Sequence, residues 1–212
     1  MGYCYAIPCL LRRRLLIAEI TILLKTILGY PGNMARSDSF FIRADVLVDD
    51  SATFASTSID LGSYVDALGK SVLRIHNVTA SITTGIGAAD GPGVGPKMDA
   101  GTGDSCSWQL TTQDQVAMVL PSNRAVVSSG AVWAFNADGA SAVPATAYEA
   151  DMLPQEWTNG YLVAVESLQL GASAGTNWAS TANLTVSVVL ECTVETLTQA
   201  AAMALALSQQ GN

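Results

Sequence analysis

The sequence predicts an all-β chain: eight antiparallel strands packed as a two-sheet sandwich, preceded by a helical N-terminal arm and closed by a short C-terminal helix. Three observations lead there. Half of the 212 residues are apolar and only 13% are charged, enough for one domain with a real core and too little charge for a disordered chain. The apolar half is mostly Ala, Val and Leu interleaved with Ser, Thr and Gly, a mixture that suits alternating strands better than charged amphipathic helices. From Ser39 onward, apolar and polar residues alternate with a period of two.

Taken in order, the first strand is Phe40–Val48, where Phe40, Ile42, Ala44, Val46 and Val48 share one face and Arg43 and Asp45 point away. Ala52–Asp60 is a weaker strand, rich in Thr and Ser. Gly62–Gly69 reads as a short helix or turn. Ser71–Ile82 is a third strand with less clean alternation. Ser105–Thr112 sets Cys106, Trp108 and Leu110 against Ser107, Gln109 and Thr111. Gln115–Leu120 is a fifth strand that stops at Pro121, Ala125–Phe135 a sixth and Gly160–Leu170 a seventh. The eighth is the clearest: Leu184, Val186, Val188, Leu190, Cys192 and Val194 face inward, with Thr185, Ser187, Glu191, Thr193 and Glu195 outward. Such alternation fits an antiparallel sheet with one wet face.

After Thr198 the pattern becomes Ala-rich, and alanine is the best helix former; Thr198 is the expected N-cap. Leu197, Ala201 and Leu205 fall at i, i+4, i+8, and Met203 with Leu207 at i, i+4, an apolar side that needs cover. Three long Gly/Ala/Ser-rich connections, Thr83–Asp104, Asn136–Asn159 and Gly171–Ala182, are expected to carry contacts. Eight strands with such loops suit the jelly-roll form of the sandwich. No repeat is visible at a solenoid or propeller period.

Residues 1–33 are a different kind of chain. They hold four basic residues (Arg12, Arg13, Arg14, Lys25) and one acidic, Glu19, and they end in the turn-forming run Tyr30-Pro31-Gly32-Asn33. A signal peptide would need an earlier basic start and an uninterrupted apolar stretch. A membrane span would need roughly 20 apolar residues, and Leu15–Leu28 is shorter and carries two charges. An amphipathic or buried helical arm that touches a membrane, a genome or a neighbouring subunit is a third reading. The fourth is upstream sequence read in frame, because Met34 opens "MARSDSFFIRADV" like a natural start. The expected division is therefore 1–33 arm, 34–198 sandwich, 199–212 helix and tail.

From Met34 the chain holds six basic and 17 acidic residues, a net −11. That balance argues against a body gripping nucleic acid through a basic face. Catalytic patterns fail on context. Gly171-Ala172-Ser173-Ala174-Gly175 matches a serine-hydrolase elbow, but no helix follows and the single histidine, His76, lies upstream. Gly69-Lys70-Ser71 ends like a phosphate loop but lacks the leading glycine at the required spacing and a following helix. Asp90, Asp99 and Asp104 offer calcium-type ligands without a calcium-loop spacing, so a surface loop is the expectation. His76 follows Arg74 at the strand period and has no metal-ligand partners at ligand spacing. Cys106 and Cys192 fall on apolar faces as buried thiols, paired only if their strands meet; Cys4 and Cys9 belong to the arm. The sequons Asn77-Val78-Thr79 and Asn183-Leu184-Thr185 lie within strands and read as chance. Trp108, Trp133, Trp157 and Trp178 suit core packing and loop anchoring as readily as a sugar-binding face.

The order of elements resembles the single jelly-roll major capsid proteins of tailless icosahedral bacterial and archaeal viruses. The carriers are "SFFIRADVLV" (Ser39–Val48), "NGYLVAVESLQLG" (Asn159–Gly171), "NLTVSVVLECTVETL" (Asn183–Leu197) and the Ala-rich end. The resemblance covers most of 34–212 and is one of pattern rather than of a diagnostic motif. It implies a virion subunit, not an enzyme, that self-assembles into an icosahedral-type shell with no cofactor or small-molecule substrate. Its partners would be copies of itself and other capsid subunits, with an internal membrane or the genome met through residues 1–33. The acidic body departs from capsid subunits with basic, genome-facing surfaces. The alternative is a carbohydrate-binding sandwich using Trp157, Trp178 and the Asp-bearing loop with calcium; a hydrolase using Ser173 ranks below both.

Overall fold

A computed structural model describes residues 38–48, 54–66, 68–85, 91–93, 95–136, 143–144, 146–150, 155–178 and 184–210. The chain divides into two units, 1–36 and 37–212, and every described residue belongs to the second; the predicted helical arm lies outside the described residues.

The described part is mostly β and forms two antiparallel sheets. Its strands are β1 (Phe40–Val48), β2 (Ala55–Asp60), β3 (Ser71–Thr84), β4 (Lys97–Met98), β5 (Gly103–Thr111), β6 (Val126–Phe135), β7 (Val143–Pro144), β8 (Thr146–Ala150), β9 (Gln155–Val163), β10 (Ser167–Ala174) and β11 (Leu184–Thr196); one helix, α1 (Gln199–Gln210), follows. The first sheet runs β1-β11-β3-β9, the second β2-β10-β5-β6-β8, and β4 with β7 makes a small ribbon. The pairs β1·β11, β2·β10, β3·β9 and β5·β6 show the winding directly. The first four of these strands pair in reverse order with the last four, so a long hairpin folded at β5–β6 has rolled up into two sheets. That is the path of a jelly roll.

The alternation seen in the sequence is what fills the space between the sheets. Val46 and Val48 of β1, Leu73, Ile75 and Val78 of β3, and Leu184 to Cys192 at alternate positions of β11 meet Cys106, Trp108 and Leu110 of β5 and Leu168, Leu170 and Ala172 of β10. β3 alternates poorly because it carries a bulge. His76 is skipped in the backbone pairing, and the register slips by one residue there against β11 and by more against β9. An extra residue of this kind re-aims the β3 side chains beyond it; Thr193 of β11 stays on the outer face opposite Arg74 and is buried there beside His76.

Several expected boundaries are corrected. Nine strands, not eight, form the two sheets, because β8 adds an edge next to β6. Gln115–Leu120 is no strand: Val116 and Leu120 project into solvent, 95% and 75% exposed. Gly160–Leu170 is two strands in different sheets, β9 and β10, with the chain crossing between them at Ala164–Glu166. The connections are not empty either, since 83–104 holds β4, 136–159 holds β7 and β8, and β10 runs on into the third. Gly62–Gly69 is a turn, with Leu61 O accepting from the Tyr64 and Val65 amides.

α1 begins as expected, with Thr198 Oγ1 accepting from the Ala201 amide at 3.3 Å. Its buried side is different from the one anticipated. Ala202 and Ala206 pack on Val72 and Ala164 with Leu162, Leu197 and Leu205 around them, while Met203 and Leu207 stay exposed. Small Ala faces allow close approach to the sheet, and the longer side chains are turned out. Among the described residues no helix is long and apolar enough to cross a membrane.

Candidate functional site

The best-built feature outside the core is the corner where α1 meets β9, β3 and the 112–125 segment. Gln209, buried near the end of α1, holds it together. Its Nε2 donates to Leu162 O at 2.8 Å, and its Oε1 accepts from the Ala164 amide at 2.9 Å. The side-chain amide thus takes the place of a neighbouring strand at the end of β9, satisfying backbone groups that burial would otherwise orphan. The Gln209 main-chain carbonyl in turn accepts from Thr112 Oγ1 at 3.2 Å and Gln113 Nε2 at 2.8 Å, which helps cap the helix C-terminus.

A second buried glutamine does the same for the 112–125 segment. Gln109 Oε1 accepts from the Val119 amide at 3.0 Å, and its Nε2 donates to Ala117 O at 3.4 Å. The segment whose alternation suggested a strand is therefore fastened through one side chain rather than through a ladder.

Between α1 and β9 lies an open groove of ≈ 660 Å³ lined by Arg74, Arg124, Asn159, Tyr161, Leu205 and Ser208 among others. Arg74 is bidentate to Glu195, with Nη2 donating to Oε2 at 2.6 Å and Nε to Oε1, and its Nη1 donates to Asn159 O. The hydrogen bond to Arg74 holds the Glu195 carboxyl below its usual range, against a smaller opposing effect of burial. Gly160 leaves room for the Arg74 side chain: it sits at φ +70°, and a Cβ there would collide with that side chain and with Ile75 O. Burial pushes the Tyr161 hydroxyl up, with a hydrogen bond to Gln209 acting the other way.

The residues singled out from the sequence are dispersed. His76 Nε2 lies 2.9 Å from Thr193 Oγ1 on the bulge, far along the fold from Ser173, which pairs with Ser107 between β10 and β5. Lys70 sits at φ +74° in a tight turn where the Gly69 amide donates to Asp66 Oδ1 at 2.7 Å. Asp104 is spent on structure: it accepts from the Ser105 amide at 2.7 Å and the Asn177 amide at 3.0 Å, and only glycine at 175 leaves room for its carboxylate. Asp99 uses its main chain, accepting from Thr102, and Asp90 lies outside the described residues. Among the described residues no three His, Cys, Asp or Glu side chains converge on a metal position.

Cys106 and Cys192 stand on opposite sheets as free, buried thiols. Burial, with Asp104 and Glu191 nearby, pushes each up to about 12. Trp108 is core, and so is Trp178, only 3% exposed, which removes it from the sugar-binding face proposed with Trp157. Trp157 is half-buried against Tyr161 at 5.8 Å. Trp133 is the exposed one, parallel to Phe135 at 6.4 Å on β6. Asn77 lies in β3 beside the bulge, and Asn183 is outside the described residues. Sequence reasoning missed Gln109, Gln209 and Arg124. The one available signal was Gln209 itself, a polar residue at i+3 from Ala206 on the helix side that docks.

No family model matches the sequence, and no curated protein matches it. Solved structures do resemble the chain. The human polyomavirus 7 VP1 pentamer is 9% identical over 75% of this chain and 97% of that one, with a TM-score of 0.44. The VP1 of human polyomavirus 12, solved with 3'-sialyllactosamine, is 8% identical over 76% and 99%, with a TM-score of 0.40. The VP1 of trichodysplasia spinulosa-associated polyomavirus, solved with sialylated glycooligomers, is 7% identical over 74% and 93%, also at 0.40. All three come from polyomaviruses, not from the tailless bacterial and archaeal viruses of the sequence resemblance.

Proposed function

We propose that this chain is a structural subunit of a virion shell, a jelly roll that works by lateral association of many copies. The observation that carries the reading is a fixed apolar surface. Val116, Leu120 and Leu207 are the most exposed large aliphatic side chains apart from Leu68, and they stand on two elements locked to the sandwich by buried glutamines. Exposed apolar surface held rigidly is what a partner buries at low ordering cost. The rolled-hairpin winding and the sequence resemblance to jelly-roll capsid proteins support a shell as the setting for that association. Many weak contacts per subunit then suffice. In this reading residues 1–33, with net charge +3, form the arm that meets an internal membrane or the genome.

The test is size-exclusion chromatography of the chain started from Met1 and from Met34, over a range of concentrations. Species growing with concentration support the reading. A monomer at every concentration that instead binds glycans, with binding lost on Trp157→Ala, would replace it with the carbohydrate-binding alternative.

A further inference from the structure

We propose that the groove between α1 and β9 is a subunit–subunit contact that receives an acidic segment of a second copy of this chain, with Arg124 as its cationic anchor. This rests on the shell reading and names the surface and the chemistry by which copies meet.

Charge is the first reason. From Met34 onward the chain carries 17 acidic residues against six basic, so two copies brought together repel unless a cation lies where they touch. Two of those six, Arg74 and Arg124, line one groove. Arg74 is committed to Glu195 and Asn159. Arg124 is exposed and forms no ion pair among the described residues.

Position is the second reason. The groove's helical wall is joined through Gln209 O to Thr112 and Gln113, the start of the segment that carries Val116, Leu120 and Arg124 itself. Apolar side chains and an uncommitted guanidinium thus belong to one locked unit. An apolar contact with a charged anchor is the usual anatomy of a specific interface, and arginine is the basic residue best suited to hold a carboxylate. The groove's walls, Leu162, Leu205 and Tyr161, lower the local dielectric and strengthen such a pair relative to one in open water.

The experiment compares full-length wild type with Arg124→Glu and Arg124→Lys by sedimentation velocity across concentration and salt. Arg124→Glu is expected to raise the concentration of half-assembly by at least roughly tenfold, with Arg124→Lys in between and wild-type assembly weakening as salt rises. Arg124 is exposed, so all three should melt alike, and a matched circular dichroism melt separates lost contact from lost fold. Wild type and Arg124→Glu assembling equally would overturn the inference while leaving the shell reading intact. A wild type that stays monomeric would overturn both. A small dicarboxylate that raises the wild-type melting temperature but not that of Arg124→Glu, without affecting assembly, would overturn it in favour of a ligand pocket.

Discussion

Between the sheets, Trp108, Leu110, Leu168, Leu170 and Leu190 are shut away from water and touch partners from both sheets. At the rim, α1 and the 112–125 segment bury mainly small side chains, Ala125, Ala202 and Ala206 among them, and are fastened by a few hydrogen bonds of Gln109, Gln209, Thr112 and Gln113. The interior is held by apolar area, which is shared among many side chains and degrades gradually. The rim is held by a few directional bonds, and losing one leaves backbone groups unpaired at a stroke. A surface tied by a few bonds can open locally without unfolding the core.

The largest effect should come from the interior. Trp108→Ala should cost about 3–5 kcal/mol in urea unfolding, because it removes the largest fully buried side chain and leaves a cavity between sheets. A cost near that of a surface substitution would break the contrast from the core side.

Gln209→Ala comes next. Stranding the Ala164 amide and the Leu162 carbonyl should cost about 1–3 kcal/mol. The sharper readout is hydrogen exchange: protection should fall across 199–210 while β5 and β11 keep theirs. Gln109→Ala should do the same for the Val119 amide alone. Uniform loss of protection over the whole sandwich would show that rim and core form one cooperative unit.

Smallest is the Arg74–Glu195 pair. The Glu195 carboxyl is held down mainly by its hydrogen bond to Arg74. A depressed carboxyl stabilises the fold fully above its unfolded value, about 4.3, and that contribution is lost as pH falls through the lower folded value. With Glu195 35% exposed, the pair is worth about 0–1 kcal/mol. Glu195→Gln should therefore cost up to about 1 kcal/mol at pH 7 and progressively less as pH falls through the folded carboxyl value, flattening the acid limb of the stability curve. A larger loss at acid pH than at pH 7 would contradict the assignment.

The interior was legible in the sequence for a simple reason. Along β11, Leu184, Val186, Val188, Leu190 and Cys192 repeat every second residue because the sheet has one dry face. The rim was not, because period alone does not say what a pattern faces. Val116, Met118 and Leu120 alternate as a strand does, yet the backbone between them, at Ala117 and Val119, pairs with the side chain of Gln109 and not with a strand. Val163, Ala164 and Val165 are all buried where the chain changes sheet, so no polar residue or glycine marks the end of β9. In α1 the sequence points to Leu197, Ala201 and Leu205 with Met203 and Leu207, whereas Ala202, Ala206 and Gln209 dock, with Leu197 and Leu205 alongside and Met203 and Leu207 exposed. A corner built from one side chain pairing with distant backbone has no local sequence signature, and Arg124 enters the groove only because that corner exists.

Whether the chain joins copies of itself is decided by electron microscopy of the purified full chain, concentrated at low salt. Closed particles, rings or sheets with a regular subunit repeat are the predicted result; a field of single 22.0 kDa molecules at every concentration would contradict it.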